Sequence, residues 1–353
     1  MFSLFPIPKG KSGGSTFLKA LKNILKKDSR YTSTWDDADV ILLNSHHWIK
    51  ALLKLIFLRL NGKKFIMRID GPLQIYRSTF FSVFEDKIIY SIAKNLCSGI
   101  IYQSYWSSER NKYIDKKLGN IPQKIIYNGS LEYKQNKKSK KADYCLFVSN
   151  SNNPLKGINI FKELAYKAQF SKELKRLKFF VIGNFNEINE NLNYVNLGLL
   201  SKNKLAKWML KSKYYIHPSK YEACSNALLE AIKFNMIPFV SASSSNIELV
   251  KDERLQFSSL DELIYKLETV IRDISFKPIG LINTDINLVS KRYLDFFEEI
   301  MLNEQIELKF TYFKLIKILF SYTQYIIAKL IFIFLQKTNK IFLLLKNFFN
   351  RFG

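Results

Sequence analysis

Short apolar runs of strand length alternate with amphipathic stretches of helical length along this chain, and the alternation occurs twice. In the first half, residues 2–7, 40–43, 65–69, 99–102 and 124–126 are strand-like. A glycine turn at 10–15 precedes Phe17, Leu18, Leu21, Ile24 and Leu25, which share one helical face. Residues 51–60 are helical and largely apolar. In the second half, strands at 144–148, 179–182, 214–217 and 238–240 are separated by helices at 158–168, 202–211 and 227–234. Two more helices follow at 262–274 and 289–302. Alternation of this kind builds parallel sheets covered by helices. Two such units in one chain place a ligand in the cleft between them, at the carboxyl ends of the strands.

The stretch 134–143, Lys-Gln-Asn-Lys-Lys-Ser-Lys-Lys-Ala-Asp, has no apolar periodicity and reads as the linker. The predicted units are 1–141, 142–304 and a tail, 305–353. Charge separates them. The first carries 26 Lys and Arg against 10 Asp and Glu, the second 21 against 19, and the tail 8 against 1. A chain of 353 residues with 47% apolar content can bury such cores, and bulk disorder is excluded. The basic ends suit an anionic surface or a phosphorylated ligand. Nucleic acid is not expected, because no known motif holds the basic residues and no aromatics are patterned with them.

The three cysteines, Cys97, Cys145 and Cys224, are scattered, which excludes a disulfide scaffold and a zinc finger and fits a reducing cytoplasm. Nothing at the start resembles a secretory signal. The tail is rich in Phe, Leu, Ile and Tyr with lysines interspersed. Its longest uncharged run, 318–328, is eleven residues, too short to cross ~30 Å of hydrocarbon. In-plane amphipathic helices on a membrane are expected, the other reading being a pair of core-packing helices.

Several local patterns carry little chemistry. Gly10-Lys11-Ser12 resembles the end of a phosphate-binding loop, but Phe5 stands where that loop needs glycine. Asp37-Ala38-Asp39 and Asn128-Gly129-Ser130 read as turns, and His46-His47 as loop residues without a metal-binding partner cluster. Gly13-Gly14 is more informative, since two glycines at a helix start let the backbone approach an anion.

The strongest constellation runs from His217 to Ala231. Glu222 follows a strand, and Glu230 lies eight residues on, in the next helix. Ser225 or Asn226 is placed to cap that helix. Free N–H groups at a helix start suit phosphate, and a carboxylate suits the paired hydroxyls of a sugar. The same spacing also allows a capping box between Ser219 and Glu222, with Glu230 on the surface.

This segment resembles the E-x7-E signature of the family-four retaining glycosyltransferases, which have the GT-B fold of two facing Rossmann-like domains. The resemblance covers most of residues 1–302. It includes Gly13-Gly14, Ile125-Ile126-Tyr127-Asn128-Gly129, Lys156-Gly157, Val181-Ile182-Gly183, Leu197-Gly198 and Ile247-Glu248. Ile69-Asp70-Gly71-Pro72 and Gln103-Ser104-Tyr105-Trp106-Ser107 look like a bacterial surface-polysaccharide subset of it. The resemblance implies that Lys156 contacts the donor diphosphate, Glu230 the ribose hydroxyls and Glu222 the donor sugar. Ser225 and Asn226 lie near the phosphates, Gly13, Gly14 and Gly183 border the donor, and Leu199-Leu200 pass the base. Three positions depart from the family pattern. Asp70 stands about where a histidine is common, and Ser245-Asn246 replaces a Gly-Gly. Ser149-Asn150-Ser151 replaces an arginine, whose place Arg68 or Lys11 would have to take.

The resemblance thus implies transfer of a sugar from a nucleotide-sugar, a substrate rather than a cofactor, to a lipid-linked or other glycan acceptor for capsule, O-antigen or a related polymer. Catalytic roles fall to Glu222, Lys156 and Asp70, with no metal and no cofactor expected. The expected location is the cytoplasmic face of the cell membrane, held peripherally. A degenerate scaffold that binds membranes, or a sugar-nucleotide epimerase of the same fold, are the alternatives.

Overall fold

A computed structural model describes residues 1–4, 13–45, 49–130, 141–151, 153–185, 193–303 and 311–349, with side chains of 13–15 and 339–349 left aside. Gly10 to Ser12, His46-His47 and most of the predicted linker lie outside these residues.

The first half forms a parallel sheet of β1 (Phe2–Leu4), β2 (Val40–Asn44), β3 (Lys64–Ile69), β4 (Gly99–Tyr102) and β5 (Gln123–Ile125), in that spatial order. A parallel bridge from Phe2 to Tyr31 extends it beyond β1. The chain therefore runs outward through α1 (Gly13–Lys27) and returns to β2, which makes a topological switch point beside β1. Helices α2 (Leu52–Leu60), α3 (Leu73–Arg77), α4 (Phe80–Asn95) and α5 (Tyr105–Ile114) connect the remaining strands. Phe17, Leu18, Leu21 and Leu25 are buried as their spacing predicts. Helix α4 begins with a capping box between Thr79 and Ser82.

The second half forms a sheet of β6 (Ala142–Ser149), β7 (Lys178–Gly183), β8 (Val195–Asn196), β9 (Ser212–His217), β10 (Ile237–Ser241) and β11 (Gln256–Phe257). The spatial order is β11-β10-β9-β6-β7-β8, all parallel, with its switch point between β6 and β9. Around it lie α6 (Ile158–Lys167), α7 (Lys202–Lys211), α8 (Asn226–Lys233), α9 (Asn246–Leu249) and α10 (Leu260–Arg272). The β-runs are Val/Ile/Phe-rich because both faces of the sheet are covered.

Two helices at the end depart from the predicted division. Helix α11 (Ile286–Leu302), expected to close the second half, packs on the first. Its Phe297 ring lies 5.1 Å from that of Phe2, and Tyr293 lies 5.9 Å from Phe17. Tyr293, Phe296, Phe297 and Ile300 are fully buried there with α1. The tail is one continuous helix, α12 (Tyr312–Phe349), rather than a pair. It is not separate from the fold: Ile318, Tyr325 and Ala328 are buried, and Phe81 of α4 meets Tyr325 and Phe332 at 5.3 Å each. Residues Tyr312–Thr338 are long and apolar enough to cross a membrane by length and composition. The eleven-residue limit set by uncharged runs is therefore too strict, since widely spaced lysines interrupt the runs without making the helix polar.

Candidate active site

Lys156 follows β6 and Glu222 follows β9, so the two straddle the switch point of the second sheet. Lys156 Nζ lies 2.5 Å from Glu222 Oε1. Burial is the largest single influence and opposes the charge on each, but the mutual attraction and the neighbouring hydrogen bonds together outweigh it. Lys156, His217 and Ser219 together hold the Glu222 carboxyl below its usual range, and Glu222 with Tyr76 holds the Lys156 ammonium above its own.

Local backbone explains why the pair meets. Gly157 has φ +77°, and a Cβ there would lie 2.7 Å from the Pro218 carbonyl oxygen. The glycine lets the loop after β6 press against the loop after β9. Lys220 N and Ser219 Oγ donate to the Leu155 carbonyl at 3.0 and 3.3 Å. Ser219 and Glu222 thus form no capping box, because both are held by the lysine loop. Glu222 N donates to Ser244 Oγ at 3.1 Å, Ser245 N to the Glu222 carbonyl at 3.2 Å, and Asn246 Nδ2 to the Ser219 carbonyl at 2.7 Å. The serines and asparagine at 244–246 therefore brace the Glu222 loop.

His217 Nε2 is 3.8 Å from Glu222 Oε1 and has no hydrogen-bond partner. Burial pushes its pKa down to about 4, with Lys156 adding to that against the opposing pull of Glu222. At neutral pH the imidazole is uncharged. Ser225 caps α8, accepting from Leu228 N at 3.4 Å. Asn226 is the first residue of that helix, and Glu230 lies one turn in. Buried Tyr215 of β9 has its ionisation suppressed by burial and then by both Glu222 and Glu230, which places the two carboxylates around one ring. Gly183 ends β7 opposite Ser149, where a Cβ would lie 1.8 Å from the Ser149 carbonyl oxygen. Gly183 N donates to the Gly198 carbonyl at 3.0 Å, and exposed Leu199 and half-buried Leu200 follow along the same sheet edge.

The first half supplies the facing wall. Tyr76 of α3 lies 5.5 Å from the Lys156 ammonium. A Cβ on Gly71 would lie 3.9 Å from Ala223 Cβ, so the Asp70-Gly71 corner abuts the Glu222 loop. Asp70 accepts from Ser45 Oγ at 2.9 Å and also from Gln103 Nε2. Helix α1, which begins at Gly13-Gly14, touches α8 across the cleft. Arg68 does not face Lys156. It is buried, and donates to Asn44 Oδ1 at 2.6 Å and Asn128 Oδ1 at 2.7 Å. It is therefore no substitute for the missing arginine, and Lys11 lies outside the described residues.

Residues 130–273 match the family model described as glycosyl transferases group 1. The match spans most of the second half of this chain, which is thus similar to the group 1 glycosyltransferases. No curated protein matches the sequence. Among solved structures, HepE from Anabaena in complex with UDP-glucose superposes with a TM-score of 0.63 at 14% identity, over 84% of this chain and 99% of that one. Sucrose-phosphate synthase from Thermosynechococcus elongatus gives 0.56 at 13%, over 84% and 80%. A UDP-forming trehalose-phosphate synthase from Burkholderia xenovorans gives 0.53 at 10%, over 84% and 81%. The fold is GT-B, two α/β sheets with their strand ends facing one cleft.

The pattern alone left several residues of this cleft without a role. Asn128 joins the halves: its N–H reaches Cys224 Sγ at 3.4 Å and its Nδ2 reaches Asn226 Oδ1 at 3.3 Å. Glu248 reaches across from α9 and accepts from Tyr105 N at 2.8 Å, Trp106 N at 2.7 Å and Tyr127 Oη at 2.7 Å. It sits at the positive end of α5. A single arginine inside the apolar run Phe65-Ile66-Met67-Arg68-Ile69 was the available signal for the buried Arg68 network. Asp37 accepts from Thr34 Oγ1 in a turn ahead of β2. Among the described residues, no three His, Cys, Asp or Glu come together as a metal site.

Proposed function

We propose that this chain is a glycosyltransferase that takes a nucleotide-sugar as donor and transfers its sugar, with retention of configuration, to a hydroxyl of a lipid-linked glycan. The Lys156–Glu222 pair at the switch point carries the reading. The leaving diphosphate gains negative charge as the sugar bond breaks, and a fixed ammonium beside free helix N–H groups answers it. Lys156 would pass from Glu222 to the diphosphate when donor binds, which frees the Glu222 carboxylate to face the donor sugar. Glu230 would hold the ribose hydroxyls, Ser225 and Asn226 the phosphates, and Leu199-Leu200 the base. Gly13, Gly14 and Gly183 would let backbone approach the donor, and Asp70 would meet the acceptor side. No metal is assigned to the reaction.

The basic first half and the apolar outer side of α12 support a peripheral position on the anionic inner face of a cell membrane, in synthesis of a bacterial surface polysaccharide. The test is release of nucleoside diphosphate from a panel of nucleotide-sugars. Charge-assisted hydrogen bonds are worth about 1.5–3 kcal/mol, so Lys156→Ala and Glu230→Ala should each lose roughly ten- to a hundred-fold in donor use. Unchanged turnover in both would overturn the site.

A further inference from the structure

Helix α2 carries large apolar side chains on its outside as well as its inside. Leu55, Ile56 and Leu58 are buried in the first-half core. Leu53, Phe57 and Leu60, spaced to share the opposite face, are 78%, 59% and 63% exposed. Helix α12 repeats the arrangement. Its Ile318, Tyr325 and Ala328 are buried, while Phe313, Ile316 and Phe320 are 65%, 61% and 64% exposed. A helix apolar on both sides with only one side covered is unusual in water.

The two helices border the same core. Leu315 and Ile318 of α12 pack into the same core as Leu55, Ile56 and Leu58. Lys314 lies near enough to Arg59 for their charges to repel. Lys50 and Lys54 stand at the start of α2 and Lys63 just beyond its end. On α12, Lys317 lies over the Phe313 ring, beside the exposed face. A second copy docked by two-fold symmetry would set this basic rim against itself. An anionic surface with an apolar interior matches both the charge and the exposed side chains.

We propose that α2 and α12 together form one seat on an anionic bilayer, with Leu53, Phe57 and Leu60 entering the interface beside Phe313, Ile316 and Phe320. This extends the peripheral reading of the tail to a second, independent element of the first half.

The three cysteines are buried, so Phe57→Cys in the full chain adds an exposed thiol for an environment-sensitive dye. The dye should shift to the blue with vesicles of phosphatidylcholine and phosphatidylglycerol, and stay unmoved with phosphatidylcholine alone. Full-chain flotation without a dye shift would show that α12 acts alone and overturn the joint seat. In a second arm, the triple variant Leu53→Ser, Phe57→Ser, Leu60→Ser should float about tenfold more weakly while keeping its melting temperature and its release of nucleoside diphosphate in solution. Flotation equal to wild type would overturn the proposal. So would a concentration-dependent dimer, formed without vesicles and abolished by the triple change, which would make a second copy the occupant. Donor chemistry read in solution stays separate, so loss of the seat and loss of the catalytic reading are told apart.

Discussion

Replacing Lys156 with methionine separates two jobs that one side chain performs. The Lys156 and Glu222 side chains are 20% and 12% exposed, so their pair is largely but not fully desolvated. Removing one partner of a fully buried pair costs about 3–5 kcal/mol. The residual exposure discounts this to about 2–3 kcal/mol for Lys156→Met. At roughly 2–4 °C per kcal/mol, the melting temperature should fall by about 4–12 °C at pH 7. The loss should shrink toward acid pH, because without the ammonium burial raises the Glu222 pKa and the native state then takes up a proton more readily. Adding Glu222→Gln should return most of the stability, since a neutral amide beside an apolar thioether replaces a stranded charge. Donor use should not return, because the diphosphate still lacks its cation. The assays are thermal melts of wild type, both single variants and the double variant, with nucleoside diphosphate release from each. A double variant that regains donor use, or a single variant that melts like wild type, would refute the reasoning.

Three further outcomes follow from the same geometry. The His217 pKa is held at about 4, so the unfolded chain binds its proton first as pH falls. Its contribution is present above about pH 6.5, is lost between there and 4, and reaches about 3 kcal/mol, so His217→Gln should flatten that part of the stability curve. Asp86 works in the opposite sense, because burial raises its pKa to about 6 and its native form is favoured at low pH; only the wild-type-minus-variant difference isolates His217. Gly157→Ala should cost about 1–3 kcal/mol and about tenfold in donor use, read by melting and turnover, because a left-handed residue must also push the Pro218 carbonyl away. Chelator should leave activity in place, and loss with EDTA restored by Mn²⁺ would contradict the metal-free mechanism.

The parts of this protein legible in its sequence are the locally determined ones. Strand runs such as Phe65 to Ile69 are read from composition, and the α8 cap from Ser225, because period and capping depend on a few adjacent residues. The alternation of strands and helices places Lys156 and Glu222 on loops after strands and Glu230 in the following helix, while their proposed roles came from the family resemblance. What was not legible depends on docking between distant segments. Nothing near Glu248 says that its carboxylate will cap α5, and nothing near Asn128 says that it will meet Cys224. The return of α11 to the first sheet rests on rings such as Phe297 finding Phe2, which helical periodicity leaves open. The tail exposed the same limit. Its composition showed an apolar helix, but only packing shows that one stripe belongs to α4 while another stays uncovered.

The central claim is that the cleft beside Lys156 and Glu222 holds a nucleoside diphosphate. Titration calorimetry of the full-length protein with uridine, guanosine and adenosine diphosphates tests it most directly. At least one should bind in the micromolar range, and Lys156→Met should weaken it by about tenfold or more. If none of them binds even at millimolar concentration, or if Lys156→Met binds as well as wild type, the assignment of this cleft as the donor site is contradicted.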